Sequence, residues 1–176
     1  MTKLFVVSLT GVVAAGVLAQ AQTSPASAPN DLQIAMIVVT ADNVDIAAGM
    51  LAAKKTSNPK VKEFAEMMVR DHTSMNNQAA QLAKKLNVTP EESPTSQSLK
   101  SDGKMNLTKL RGLSGAAFDK AYIDNEVTYH ESVIKALNDT LIPNAKNSEL
   151  KALLESGRPI FESHLNHAKE VQTSLQ

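Results

Sequence analysis

The apolar positions of this chain fall into one uninterrupted stretch near the start and four longer stretches in which they recur at helical spacing. The uninterrupted stretch runs from Leu4 to Ala19. In the other four, apolar residues return every three or four positions, as on one face of a helix. The first of these is predicted as a helix from Asn30, whose side chain can cap the amides of Asp31 to Gln33, to about Lys55. Its stripe is Ile34, Val38, Ala41, Ala48 and Leu51. The second opens on Asn58-Pro59, a capping amide followed by a proline at the first helical position, and carries Val61, Phe64, Met68, His72, Met75, Ala79, Leu82 and Leu86. Asn87 and Pro90 close it.

The third helix follows Leu113-Ser114, with Ser114 as the cap and Leu113 and Phe118 spaced as a hydrophobic staple. Its stripe is Phe118, Tyr122, Glu126, His130, Val133 and Leu137, ending before Pro143. A carboxylate and an imidazole in that stripe are unexpected for a plain core. The fourth runs from about Asn147-Ser148-Glu149 to Leu175, with Leu150, Leu153, Gly157, Ile160, His164, Ala168 and Val171 facing inward. Pro159 lies inside it and predicts a kink one turn before His164, because a mid-helix proline frees the carbonyl of Glu155.

Short links join the first helix to the second and the third to the fourth, which predicts two antiparallel hairpins. Between the second and third lie 27 residues, Asn87 to Leu113, long for a bundle turn. Ser93-Pro94 predicts a short crossover helix over about Pro94 to Ser101. The expected fold is therefore all-α, a ferritin-like antiparallel four-helix bundle with a long connection between helices 2 and 3. No segment alternates as a strand would.

The first stretch has a different meaning. Lys3 is the only charge before it, the apolar run is short for a membrane span, and Ala19-Gln20-Ala21 matches a cleavage site. Residues 1–21 read as a secretory signal, 22–29 as a Ser/Pro/Ala-rich tether, and 30–176 as the folded domain, expected in the periplasm. No second apolar run approaches the length of a bilayer span, so no stable membrane insertion is expected after signal cleavage. With Lys3 removed, 17 basic side chains face 18 acidic ones, and there is no basic field for nucleic acid. The chain has no cysteine, which excludes disulfides, thiolate ligands and thiol nucleophiles. A phosphate-binding glycine loop, His-Glu-x-x-His and the Gly-x-Ser-x-Gly elbow are all missing, and no motif supports an enzyme. The sequence names no protein partner.

The polar residues on the inner stripes carry the candidate chemistry. The predicted helix midpoints fall near residues 43, 72, 127 and 162, and midpoints meet in an antiparallel bundle. Asp45, His72, His130 and His164 each lie within about three residues of one, hence within about 5 Å of one level. Three imidazoles and a carboxylate form a complete shell for one transition metal ion, with Zn, Cu or Fe as candidates. Glu126, stacked on His130 by its spacing, is an additional candidate carboxylate ligand. His167 is a supporting or surface residue. Met68, His72 and Met75 line one face of the second helix and would suit Cu(I), although methionine is also an ordinary core filler. Asp71, about 100° around the helix from His72, is placed to support a neighbouring histidine instead. The alternative reading is a metal-free polar layer that fixes helix register, in an envelope stress or interaction module.

The blocks Asn-Pro-x-Val-Lys-x-Phe-Ala-x-x-Met-x-x-Asp-His (Asn58 to His72), Leu-Ser-Gly-x-x-Phe-Asp-x-x-Tyr (Leu113 to Tyr122), His130 and His-Leu-x-x-Ala (His164 to Ala168) resemble an exported bacterial ferritin-like family, the domain of unknown function 4142. The resemblance spans roughly Asp31 to Gln172 and implies a ferritin-like bundle with no assigned activity. The positions it carries over are Asp45, where the family usually has Glu, and Asp71, His72, Asp119, Tyr122, His130 and His164. Ferritin-like di-iron chemistry would need Glu-x-x-His on two helices, and the sequence contains none.

Overall fold

A computed structural model describes residues 28–176. The expected secretory signal and most of the expected tether lie outside the described residues. Those described are all-helical, with no strand among them.

Helix α1, Asp31–Lys55, starts where its capping box places it: the Asn30 carbonyl oxygen accepts from the Gln33 amide, and the Gln33 side chain accepts from the Asn30 amide. Three residues on, Asn58 accepts from Lys60 and Val61 and Pro59 opens α2, Pro59–Leu86, which folds back along α1. Asn87 ends α2 in the left-handed conformation, at φ 52°. The connection that follows is more helical than expected. Instead of a short crossover over Pro94 to Ser101, α3 runs the full length Pro94–Arg111, capped by Ser93 and Ser96, and lies against α1. Its buried positions are Ser96, Gly103 and Leu110, seven apart. A helix that docks through small residues leaves no apolar stripe to read. At Gly103 a β-carbon would come within 2.8 Å of the Val44 side chain, so the close approach to α1 needs glycine there.

Helix α4, Gly115–Ala136, follows a turn in which Gly115 takes φ +55°. Ser114 has the extended backbone of a cap, but its side chain makes no capping hydrogen bond, contrary to expectation. Nor does the helical path close before Pro143. It widens into a π-turn over Leu137–Leu141 and passes through α5, Ile142–Asn144. The wide turn precedes the residue that has no amide to return to the carbonyl four positions back. Helix α6, Ser148–Ser174, is capped by Asn147 and packs on α4 and α2. Its start is tied to α1 by the Asp31 carboxylate, which accepts from the amides of Lys146 and Asn147. Pro159 sits on its exposed side.

Some inner positions shift by one residue. Leu154 and Phe161, not Leu153 and Ile160, face the core from α6, and Ile37 and Ala52 are more buried in α1 than Val38 and Leu51. The expectation about membrane-spanning length also needs correction. Over 18 residues α1 reaches a mean hydropathy of 1.6, enough by length and composition to cross a bilayer. Its apolar content serves packing against α2, α3 and α4, and its Asp42 and Asp45 are fully buried among those helices.

The core has two apolar parts. One gathers Ala48, Val61, Phe64, Met68, Tyr122 and Ala168; the other gathers Ile34, Ile37, Leu137, Leu141, Leu154 and Phe161. Each of α1, α4 and α6 contributes to both and places its buried acids or histidines between them, and α2 places His72 next to Met68 in the same way. A polar layer thus crosses the interior.

Candidate metal centre

The layer consists of Asp42 and Asp45 from α1, His72 from α2, Glu126 and His130 from α4, and His164 from α6, none more than 2 % exposed. The three imidazole rings lie 5.2 to 5.8 Å apart between centroids. One nitrogen from each of His72, His130 and His164 falls within 4.8 Å of the others, and so do single ligand atoms of Asp45, Glu126 and His130. The five residues expected from the sequence as ligands thus fall into two groups of three that share His130.

Each imidazole has one nitrogen engaged by an oxygen acceptor. His72 Nδ1 donates to Asp42 Oδ1 at 2.8 Å, His130 Nδ1 to the Glu126 backbone carbonyl at 2.9 Å, and His164 Nε2 to Asp71 Oδ2 at 3.2 Å. The other nitrogens, His72 Nε2, His130 Nε2 and His164 Nδ1, are buried without a hydrogen-bond partner, as are both oxygens of Asp45 and Oε2 of Glu126. His72 Nε2 lies 2.7 Å from Asp45 Oδ2, but the two are not aligned as donor and acceptor. His130 Nε2 lies 3.5 Å from that same oxygen. Atoms that share an ion at about 2.0–2.2 Å stand roughly 3.3 Å apart and point at a third place, not at each other. Tying the far nitrogen of each histidine to an oxygen also selects the tautomer that offers the near nitrogen's lone pair.

Charge within the layer is uneven. Burial works against a charged His72, yet the Asp45 charge 2.7 Å away and the hydrogen bond to Asp42 outweigh it and raise its pKa to about 10. Asp45 is likewise opposed by burial but held below the usual carboxylate range by His72. Burial, then the Asp45 charge, pushes Glu126 well above that range, toward its neutral form. Burial lowers His130, and burial with the His72 charge takes His164 down to about 4. The layer can thus hold protons on His72 and Glu126, or release them and present nitrogen and oxygen lone pairs to a cation.

The remaining expected residues are placed as follows. Asp71 contacts His164 and Arg70, not its neighbour His72. Tyr122 stacks on Phe118 with its hydroxyl buried and unpartnered, and burial followed by Glu126 and Asp45 raises its pKa. Asp119 is not brought to the layer: its carboxylate accepts from Thr56 Oγ1 at 2.5 Å beside the end of α1. His167 packs edge-on against Phe64, outside the three-imidazole group. Met68 and Met75 belong to the apolar parts on either side of His72. Asp42 was not anticipated. Its signal was present as two aspartates three residues apart in a helix otherwise apolar from Ile34 to Ala52, save for Thr40 and Asn43.

The family comparison agrees with the resemblance carried by the sequence blocks. The chain belongs to the family described as a domain of unknown function (DUF4142), whose model matches residues 16–171. No curated protein and no solved structure matches the chain.

Proposed function

We propose that this chain is an exported, periplasmic protein with a ferritin-like bundle that holds one transition metal ion for storage, scavenging or delivery. The ligands are His72, His130, His164 and Asp45, with Glu126 beside them as a further carboxylate. One observation carries this reading: three buried imidazoles, grouped together and each with one nitrogen tied to an oxygen, leave their other nitrogens unpartnered, and those of His72 and His130 lie beside the unpartnered Asp45 Oδ2. Unsatisfied buried polar atoms are costly, and several aimed at one place are accounted for by a cation. Nitrogen donors with a carboxylate suit Zn, Cu or Fe. Export rests on Lys3, the run from Leu4 to Ala19 and the Ala19-Gln20-Ala21 triplet.

The test is metal content by mass spectrometry of protein purified from periplasm without a nickel column, beside a His72→Ala/His130→Ala/His164→Ala variant. Near-stoichiometric metal in the parent and none in the variant is expected. A second reading, a metal-free polar layer that fixes helix register, is favoured by His72 being held between Asp42 and Asp45 with a raised pKa. It becomes the better account if neither protein carries metal and Zn, Cu and Fe give no thermal shift.

A further inference from the structure

Beyond Phe161, whose ring lies 5.6 Å from that of His72, the interior opens into a cavity of about 420 Å³. All five long helices bound it, through Ile37, Met75, Leu99, Val133 and Leu154 among others. We infer that this cavity is a binding site for a neutral single-chain lipid, such as a long-chain alcohol or its ester, and this inference does not rest on the metal reading.

Three features support it. The apolar stripe of α2 continues past His72 through Met75 and Ala79, yet both are only half-buried and line the cavity. An amphipathic helix keeps such a stripe where something apolar covers it. The volume is that of a small-molecule pocket. The cavity is open to solvent along a rim that includes Asp102, and water that enters it gains little from its apolar walls. The lining also selects the head group. It contains no lysine, arginine or histidine, and its one charged residue is Asp102, on the exposed rim. Gln78, Asn106 and Asn125 offer uncharged hydrogen-bonding groups. An anionic carboxylate would meet Asp102 with no cation to offset it, whereas a hydroxyl or ester can hydrogen-bond to the amides and to the hydroxyls of Thr95, Ser132 and Ser156 without that repulsion.

The mature protein titrated with N-phenyl-1-naphthylamine, a neutral apolar fluorophore, is expected to show saturable binding at one site, unchanged by a chelator. Dodecanol should displace it at a concentration at least tenfold lower than dodecanoate does. Ala79→Phe, which fills the cavity, should weaken probe binding at least tenfold with helix content retained, and Asp102→Asn should narrow the gap between alcohol and carboxylate. Lack of saturable binding, unchanged affinity in folded Ala79→Phe, or equal displacement by dodecanoate would overturn the inference. If Ala79→Phe does not fold, Asp102→Asn decides, and an unchanged gap counts against the site. Failure of the metal reading would show separately, in the metal content of the histidine variant.

Discussion

The two apolar parts on either side of the polar layer are built from the same helices but solve packing differently. On one side Phe64, Phe118 and Tyr122 interlock with ring centroids 6.2 and 6.4 Å apart, and Ala65, Met68 and Ile123 are completely covered. On the other, aliphatic side chains pack with a single phenylalanine, Phe161, and border a cavity of about 420 Å³ that Tyr129 and several polar side chains also line. Aromatic rings fill space in large rigid units, whereas the second part has Ala79, Ala136 and Gly157 where bulk would close the gap. The difference suggests a division of labour. The closed part holds the helices in register, and the open part is free to take a ligand.

Truncating the closed part should have the largest effect. Phe64→Ala is expected to cost about 3–5 kcal/mol, and Leu154→Ala, next to the cavity, about 2 kcal/mol, because neighbours there have room to collapse. Urea denaturation of both variants measures the difference. Equal losses would mean that the two parts are packed alike.

The polar layer between them should respond to metal on a similar scale. At a free ion concentration about 1,000-fold above the dissociation constant, the parent should gain about 4 kcal/mol and the triple histidine variant nothing. Calorimetry in buffers of different ionisation enthalpy should show about one proton released per ion at pH 7 from His72, raised to about 10. His164, lowered to about 4, is already neutral at that pH and releases none.

The metal-free protein should also lose stability in both directions of pH. The His72 contribution is fully present below about pH 6.5 and is lost as pH rises toward 10, since its folded pKa is raised. For His164 the folded pKa is depressed, so its contribution is present above about 6.5 and is lost as pH falls toward 4. Replacing His164 with Gln should reduce the acid limb to the part that His130 and Asp45 contribute and leave the alkaline one. Thermal melts from pH 4 to 10 in chelator would show whether the limbs separate in this way.

The long helices and the level of the histidines were legible because both follow from spacing and capping. Asn30, Asn58 and Asn147 mark three helix starts, and His72, His130 and His164 lie on predicted inner stripes. What escaped has common physical causes. Helix α3 docks through Ser96 and Gly103, and small residues in close approach give no apolar periodicity. Phe161 and Leu154 lie one position from the predicted stripe, within the angular width of an inner helix face. Asp42 looked like an interruption of an apolar helix until its hydrogen bond to His72 was seen. The cavity has no signature in the sequence at all, since it depends on what five helices leave unfilled between them.

The finest test of the contrast uses two glycines, one in each region. A β-carbon at Gly49, where α1 meets α2 in the closed region, would lie 3.0 Å from the Ala65 carbonyl oxygen and 3.0 Å from the Val69 side chain. Backbone cannot step aside there, so Gly49→Ala should destabilise by about 1–3 kcal/mol despite alanine's better helix propensity. At Gly157, on the cavity wall, the nearest atom is the flexible end of Met75 at 3.4 Å. There the helix propensity gain should prevail, and Gly157→Ala should stabilise by roughly 0.5–1 kcal/mol. Opposite signs in parallel urea melts are the expected result. Two losses of similar size would mean that the open region is packed as tightly as the closed one, and would count against a ligand chamber there.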